Sequence, residues 1–305
     1  MGSLPNAKGH LALMTTTVIF GLNGPFSKIL FSTPGFSPYM HMFCRFLGAG
    51  TLFWIASVFF PSEKIAKRDW LPLLGASLTG VLFNQGVFAI GISMTSPLNQ
   101  SLLSTLGPIV TMLLAAFFLK EPITWKKALG VFIGASGAVL LVLGKGTEGH
   151  SSVWGDLICL SATVSYCLYL TFFRRIIMRY SPITLMKWLF LISFVLVLPK
   201  TLPDVYSFGW KNQGIVFYSC LFFVVILATF VAYLLLPIAQ KELRPTVVSI
   251  YNYGLPVVAT SMALILGQDR FTYPKLLAAL LVLCGVYLVT LSKSRADLRL
   301  QRGRN

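Results

Sequence analysis

Apolar runs of roughly 18 to 25 residues follow one another along nearly the whole chain, each closed by a short polar stretch. Ten are visible, over residues 9–30, 37–60, 69–92, 97–119, 125–143, 154–176, 182–201, 214–236, 245–266 and 273–291. About 20 residues at about 1.5 Å each span a hydrocarbon core about 30 Å thick, so each run predicts a membrane-crossing helix. Within the runs the apolar residues are continuous, as over 51–60 and 221–230, rather than alternating, which excludes a transmembrane β-barrel. The fold class expected is an all-α integral membrane protein with about ten transmembrane helices. Loops of mostly about 4 to 10 residues leave no room for a soluble domain. The first run follows Lys8, but it is too long for a signal peptide and has no small-x-small cleavage pattern around Asn23–Lys28. It reads as a retained span, with a kink expected at Gly24-Pro25.

The chain contains itself twice. Pro97, Ser101, Pro108, Glu121, Thr124, Lys127 and Gly137 are matched, at identical spacing, by Pro245, Ser249, Pro256, Asp269, Thr272, Lys275 and Gly285. Two apolar halves built on one pattern are the sequence sign of a transporter made of internal repeats. The halves divide near 144–152, with five spans each. Five is odd, so the second copy enters the membrane in the opposite sense and the fold is two inverted five-helix repeats. The expected domains are 1–148, 149–292 and a basic tail over 293–305. The early spans match more weakly, Ser37-Pro38 with Ser181-Pro182. Gly130, Gly134 and Gly137 form a small-residue face on the fifth span, suited to close helix approach within the monomer or in a homodimer.

Composition sharpens this. The chain is 56% hydrophobic and only 11% charged, against about 25% charged in soluble proteins. Its formal charge of +16 is unevenly placed. With the N-terminus in the cytoplasm, the cytoplasmic loops and tail hold Lys64, Lys67, Arg68, Lys126, Lys127, Arg174, Arg175, Arg179, Lys241, Arg244, Lys293 and Arg295, among others. The opposite side holds only Lys28, Lys145, Lys200, Lys211, Arg270 and Lys275. This positive-inside bias places both termini in the cytoplasm, with the inner membrane of a bacterium as the expected location. It also assigns the basic tail to anionic lipid at the cytoplasmic face rather than to nucleic acid. Cys44, Cys159, Cys167, Cys220 and Cys284 all lie in apolar runs and read as small buried hydrophobes. His10, His41 and His150 have no ligand-like spacing, so neither a metal nor a cofactor is expected.

The segments 99–108 and 109–115, Lys120-Glu121-Pro122, 239–253 and Pro256-Val-Val-Ala resemble the drug/metabolite transporter superfamily, in particular its ten-helix EamA-type permeases. The likeness spans almost the entire chain. It implies export or facilitated movement of small metabolites, often amino acids, by alternating access around a cavity lined by helices one, three, four, six, eight and nine. Sugar-phosphate and nucleotide-sugar antiporters of the same superfamily, and multidrug efflux carriers, are the alternatives. The interiors of the ninth and tenth runs are nearly free of Lys and Arg, which disfavours phosphate-bearing cargo. No HExxH, paired carboxylate or Ser–His arrangement points to an enzyme.

Polar groups at bilayer depth are costly unless they face a cavity or a partner. On the spans implied to line the cavity, the candidates for cargo contact are Asn23, Asn84, Gln85, Ser104, Tyr166, Tyr251 and Asn252. Ser101, Thr105, Ser165, Tyr169, Thr229 and Tyr233 lie at similar depth. Each has a plainer role available: Ser and Thr bond their own backbone, Asn and Gln tie helices together. Pro108 and Pro256, mid-span in the fourth and ninth runs, are matched interruptions expected to line the path or act as hinges. Arg45 and Lys187 are the cations well inside spans. They either contact an anionic group or gate the path, or they snorkel to head groups. No carboxylate lies deep in a span, Asp156 being the nearest, which argues for a facilitator or exchanger rather than a proton-driven pump.

Overall fold

The computed structural model describes residues 7–61, 63–119, 124–143, 152–242, 251, 254–270 and 272–291. All regular structure among them is helical, with no strand. In chain order the helices are α1 (Ala7–Phe31), α2 (Pro38–Val58), α3 (Lys67–Met94), α4 (Pro97–Ser104, then Gly107–Leu119) and α5 (Trp125–Leu143). The second half holds α6 (Val153–Phe172), α7 (Pro182–Ser207), α8 (Ile215–Phe222, Phe223–Val231 and Ala232–Glu242), α9 (Gly254–Ile265) and α10 (Tyr273–Leu291). A short helix, Arg174–Arg179, joins α6 to α7.

Among the described residues, α2, α3, α4, α6, α7 and α8 are long and apolar enough to cross a membrane by themselves. At 25 residues α1 is long enough, but it carries Thr16, Thr17, Asn23 and Ser27, all buried against other helices. It runs through Pro25 as one helix.

Local sequence sets where helices begin. Ser37-Pro38, Ser96-Pro97 and Ser181-Pro182 each start one in the same way. The serine Oγ accepts the N–H of Met40, Asn99 or Thr184, and proline takes the first helical position, where no N–H is needed. Inside α4 the opposite applies. Pro108 cannot donate to the Ser104 carbonyl, and the helix breaks at Thr105–Leu106, where Leu106 turns back only to Leu103. Pro256 lies in the first turn of the described part of α9.

The most extensively packed pairs are α5 with α10, α2 with α7, α3 with α6, α1 with α8 and α9, and α6 with α4. Exchanging the halves (α1 for α6, α3 for α8, α4 for α9) maps this pattern onto itself. Two contacts carry the exchange to single residues. A Cβ on Gly137 would lie 2.8 Å from the Val282 nitrogen and 2.9 Å from the Ala278 carbonyl. A Cβ on Gly285 would strike the backbone of Gly134 and the carbonyl of Gly130. At the spacing of the repeat, Gly137 corresponds to Gly285, Gly134 to Val282 and Gly130 to Ala278. Residue i meets j′ while i′ meets j, the signature of a two-fold axis. The glycine face expected on α5 is therefore occupied by α10 of the same chain.

The second exchange joins α2 and α7. The Ser37 hydroxyl, capping α2, donates to Asp204 in the last turn of α7. Ser181, capping α7, donates its N–H and its hydroxyl to Glu63, just past α2, at 2.9 Å each. Burial pushes the Glu63 carboxyl upward. The hydrogen bonds from Ser181 and Thr184 and the charge of Lys187 outweigh this, so it lies below its ordinary value. A depressed carboxyl contributes stability that is present above its unfolded pKa and lost as pH falls through the folded one. Ser181→Ala is expected to cost about 0.5–2 kcal/mol at neutral pH and to flatten the acid limb of the apparent melting curve in detergent. An unaltered limb would remove Glu63 from that role.

Candidate functional site

Two irregular turns face the middle of the bundle. In α3, Leu78–Phe83 widens to a π-helix, and in α8, Phe223–Val231 does the same. They occupy corresponding positions in the two halves. A π-turn weakens the regular ladder and is frequent at functional sites. Side chains take up the loosened carbonyls: Ser165 Oγ donates to Thr79 O at 2.8 Å, and Thr229 Oγ1 to Val224 O at 2.7 Å. Two residues beyond each wide turn sit Gln85 and Tyr233, a pair separated by the same offset as Pro108 and Pro256.

These two residues meet. The Tyr233 phenol lies within reach of the Gln85 amide, and neither polar atom of that buried amide makes a hydrogen bond of good geometry. Arg45 reaches in from α2, only 3% exposed. Its Nε donates to Thr229 Oγ1 at 2.8 Å and its charge faces Tyr233. Tyr166 on α6 stands near Tyr233 and 6.0 Å, centroid to centroid, from Tyr169. Phe20 of α1 and Phe190 of α7 meet Tyr233 edge-on at 6.0 and 5.9 Å. Tyr166 and Tyr233 are half-buried rather than fully buried.

The electrostatics of this centre are one-sided. Among the described acidic residues, Glu63, Asp69 and Glu242, which closes α8, lie at the end where α1 begins, and Asp156, Asp204 and Asp269 at the end where α1 finishes. Arg45 therefore has no carboxylate partner among the described residues. An unsatisfied buried amide costs about 1–3 kcal/mol and an unpaired buried charge more. Such groups are rare in native structures.

The end where α1 finishes is latched. Lys28 Nζ donates to the carbonyls of Ile92, Ser93 and Thr95 at 3.2, 3.2 and 2.8 Å, capping α3 from α1. Asp156 accepts from the Thr95 hydroxyl and, at 3.1–3.2 Å, from Asn99 Nδ2. Gln268, just past α9, donates to Pro25 O at 2.9 Å. Asp156 is thus a buried, fully engaged carboxylate near a helix start, away from the centre.

The residues expected from sequence divide among several places. Gln85, Tyr166 and Arg45 are brought together. Asn84 Nδ2 donates to Ala162 O at 3.0 Å and ties α3 to α6. Asn23 is buried with Oδ1 unpartnered, next to Gly24, where an added Cβ would lie 3.2 Å from Gln100 Oε1. Gln100 Nε2 in turn donates to Ser104 Oγ at 2.7 Å. Tyr251 pairs with His10 at 3.0 Å, near the start of α1. Lys187 is separate from the cluster, its Nζ 4.9 Å over the Trp54 ring, with Trp188 and Trp70 packed edge-on alongside. Asn252 lies outside the described residues. Arg45 on α2 adds a helix that the implied lining did not include. The π-turns that aim Gln85 and Tyr233 left no mark in the sequence pattern.

The model of the EamA-like transporter family matches this chain twice, over residues 7–143 and 153–291. The chain belongs to the EamA-like transporter family. It is a multi-pass integral membrane transporter, not an enzyme. Among similar proteins, one named an uncharacterized transporter of Archaeoglobus fulgidus is 26% identical over 282 residues, covering 92% of this chain and 98% of that protein. The uncharacterized transporter YetK of Bacillus subtilis is 23% identical, covering 83% and 80%. A WAT1-related protein of Arabidopsis thaliana is 24% identical, covering 77% and 71%. A solved crystal structure superposes with a TM-score of 0.64 at 16% identity, over 96% of this chain and 98% of that one, a likeness of fold. EamA-like architecture thus accounts for the twofold match, and the central cluster lies where the two copies of the family unit face each other.

Proposed function

We propose that this EamA-like transporter moves small organic metabolites such as amino acids, as an exporter or facilitator working by alternating access. The single observation that carries the reading is Arg45, a buried cation without a carboxylate partner among the described residues, beside an unsatisfied amide and half-buried tyrosines. One guanidinium suits one carboxylate, held by charge-assisted bonds. Gln85 offers a donor and an acceptor for the remaining polar groups, and Phe20 with the tyrosines supplies apolar walls. The lack of a carboxylate in the centre among the described residues supports movement down a gradient or by exchange. The basic loops support assigning the end where α1 begins to the cytoplasm. Pro108 and Pro256 are hinge or path-lining positions in this scheme.

The test is counterflow in proteoliposomes with radiolabelled amino acids and their amides and decarboxylated amines. The carboxylate-bearing members should exchange saturably and the amines should not. Uphill uptake driven by a pH gradient alone would defeat the facilitator reading. Gln85→Ala is expected to lower flux about tenfold, the weight of one or two polar contacts, with an unchanged or raised melting temperature, because its amide makes no well-formed hydrogen bond to lose. Equal flux in wild type and variant would take Gln85 out of the site.

A further inference from the structure

A groove of about 800 Å3 opens between α3 and the α6 end that leads into the Arg174–Arg179 helix. Its walls are apolar and include Leu71, Leu74 and Phe172, which are 78%, 37% and 47% exposed. Its floor is set by Gly75, where an added Cβ would lie 2.6 Å from the Phe173 ring, so α3 and α6 approach closely beneath it. At the mouth stand three guanidiniums, those of Arg68, Arg175 and Arg179. Among the described residues one carboxylate accompanies them, Asp69, and it is held by Arg179 and by the Tyr180 hydroxyl at 2.7 Å. Arg175 has no hydrogen bond or ion pair among the described residues. The mouth therefore carries positive charge in excess, above walls that face outward from the bundle.

Depth in the membrane is marked independently. Trp70, in the first turn of α3 next to this groove, packs 5.0 Å from Trp188, which packs 5.2 Å from Trp54. Lys187 lies over that cluster. Tryptophans and a snorkelled lysine gather where head groups meet hydrocarbon, so the arginines stand at phosphate level and the leucines below them at acyl level.

We infer that this groove is a binding site for one anionic phospholipid of the leaflet at the end where α1 begins. Its phosphate is held by Arg68 and Arg175, and an acyl chain lies along Leu71, Leu74 and Phe172. Arginine matches phosphate geometrically through paired N–H donors, and basic pockets between membrane helices are suited to anionic head groups. The site lies apart from the central cluster and does not rest on the cargo proposed for it. Because both walls belong to elements that must shift if α3 and α6 move relative to each other, a lipid seated there favours the present arrangement of that pair.

Native mass spectrometry of the detergent-solubilised full chain, titrated with phosphatidylglycerol or phosphatidylcholine, tests it. Phosphatidylglycerol should form a one-to-one adduct and phosphatidylcholine should not. Arg68→Gln with Arg175→Gln should weaken that adduct at least about tenfold, in line with two lost charges at the membrane surface. Lys211→Gln, distant from the groove, should leave it unchanged. Leu74→Trp keeps every charge and fills the groove, and it should weaken the adduct too, so the test stands even where the double variant fails to fold. Equal adducts with both lipids, retention in Leu74→Trp, or displacement by millimolar glycerol phosphate, which would mark a free-phosphate site, each overturns the inference.

Discussion

Arg45→Met is expected to abolish saturable flux of a carboxylate-bearing cargo while the protein still folds. Removing one partner of a buried, hydrogen-bonded charge pair costs about 2–5 kcal/mol or more in binding, which is roughly thirtyfold to several thousandfold in affinity. The effect on stability should have the opposite sign. Arg45 spends one donor on Thr229 and meets no carboxylate among the described residues, so an apolar side chain of similar length relieves an uncompensated buried charge. Loss of flux together with an equal or higher melting temperature is the signature of a group kept for its ligand. A lower melting temperature with proportionate loss of flux would instead make Arg45 a packing residue, and the proposed anion contact would fall. Arg45→Lys keeps the charge but not the planar fork and should restore part of the flux.

Gly285→Val is the variant expected to damage the fold most. Even a single added carbon at Gly285 runs into backbone atoms of Gly134 and Gly130, which cannot swing aside as a side chain can. Overpacking in a core costs about 1–3 kcal/mol where neighbours can adjust, and against backbone the figure should reach or exceed the top of that range. Gly137→Val should match it, because it places the same carbon at the symmetry-related point. Gly214→Ala, with nothing within 4 Å, is the control and should be silent. Size-exclusion profiles and melting in detergent read this directly. A monodisperse, wild-type-like Gly285→Val would mean that α5 and α10 do not cross at these glycines.

The matched behaviour of Gly137 and Gly285 also shows how much of the fold was written locally. Hydropathy alone places ten helices, because an apolar run long enough to span a bilayer has few alternatives to helix. The serine–proline starts at residues 37, 96 and 181 are local devices and are used as such. The break in α4 follows from the missing N–H of Pro108 and needs no tertiary contact. The repeat spacing read from the sequence holds to the single residue at the α5–α10 crossing.

The candidate site was legible only in part. Gln85, Tyr166 and Arg45 were named because polar groups are rare at such depth, and Asn84 was named for the same reason. Polarity alone could not distinguish Gln85, left unsatisfied, from its neighbour Asn84, bonded to Ala162. What separates them is rotation about the helix axis, about 100° per residue. The π-turn before them resets that rotation without changing the hydropathy pattern. Arg45 and Lys187 look alike in sequence, each a lone cation in an apolar run. One is buried against Thr229 and the other sits over a tryptophan ring.

The amino-acid sequence by itself determined the number of spans, the duplication with its offset and the places where helices start and break, because hydropathy, proline and capping act within a few residues. The tertiary structure alone decided which polar groups meet at the centre of the bundle, which cation faces inward and where a charged groove opens between α3 and α6. Those depend on which helix lies across from which, and on two widened turns that re-aim side chains at no cost the sequence pattern records.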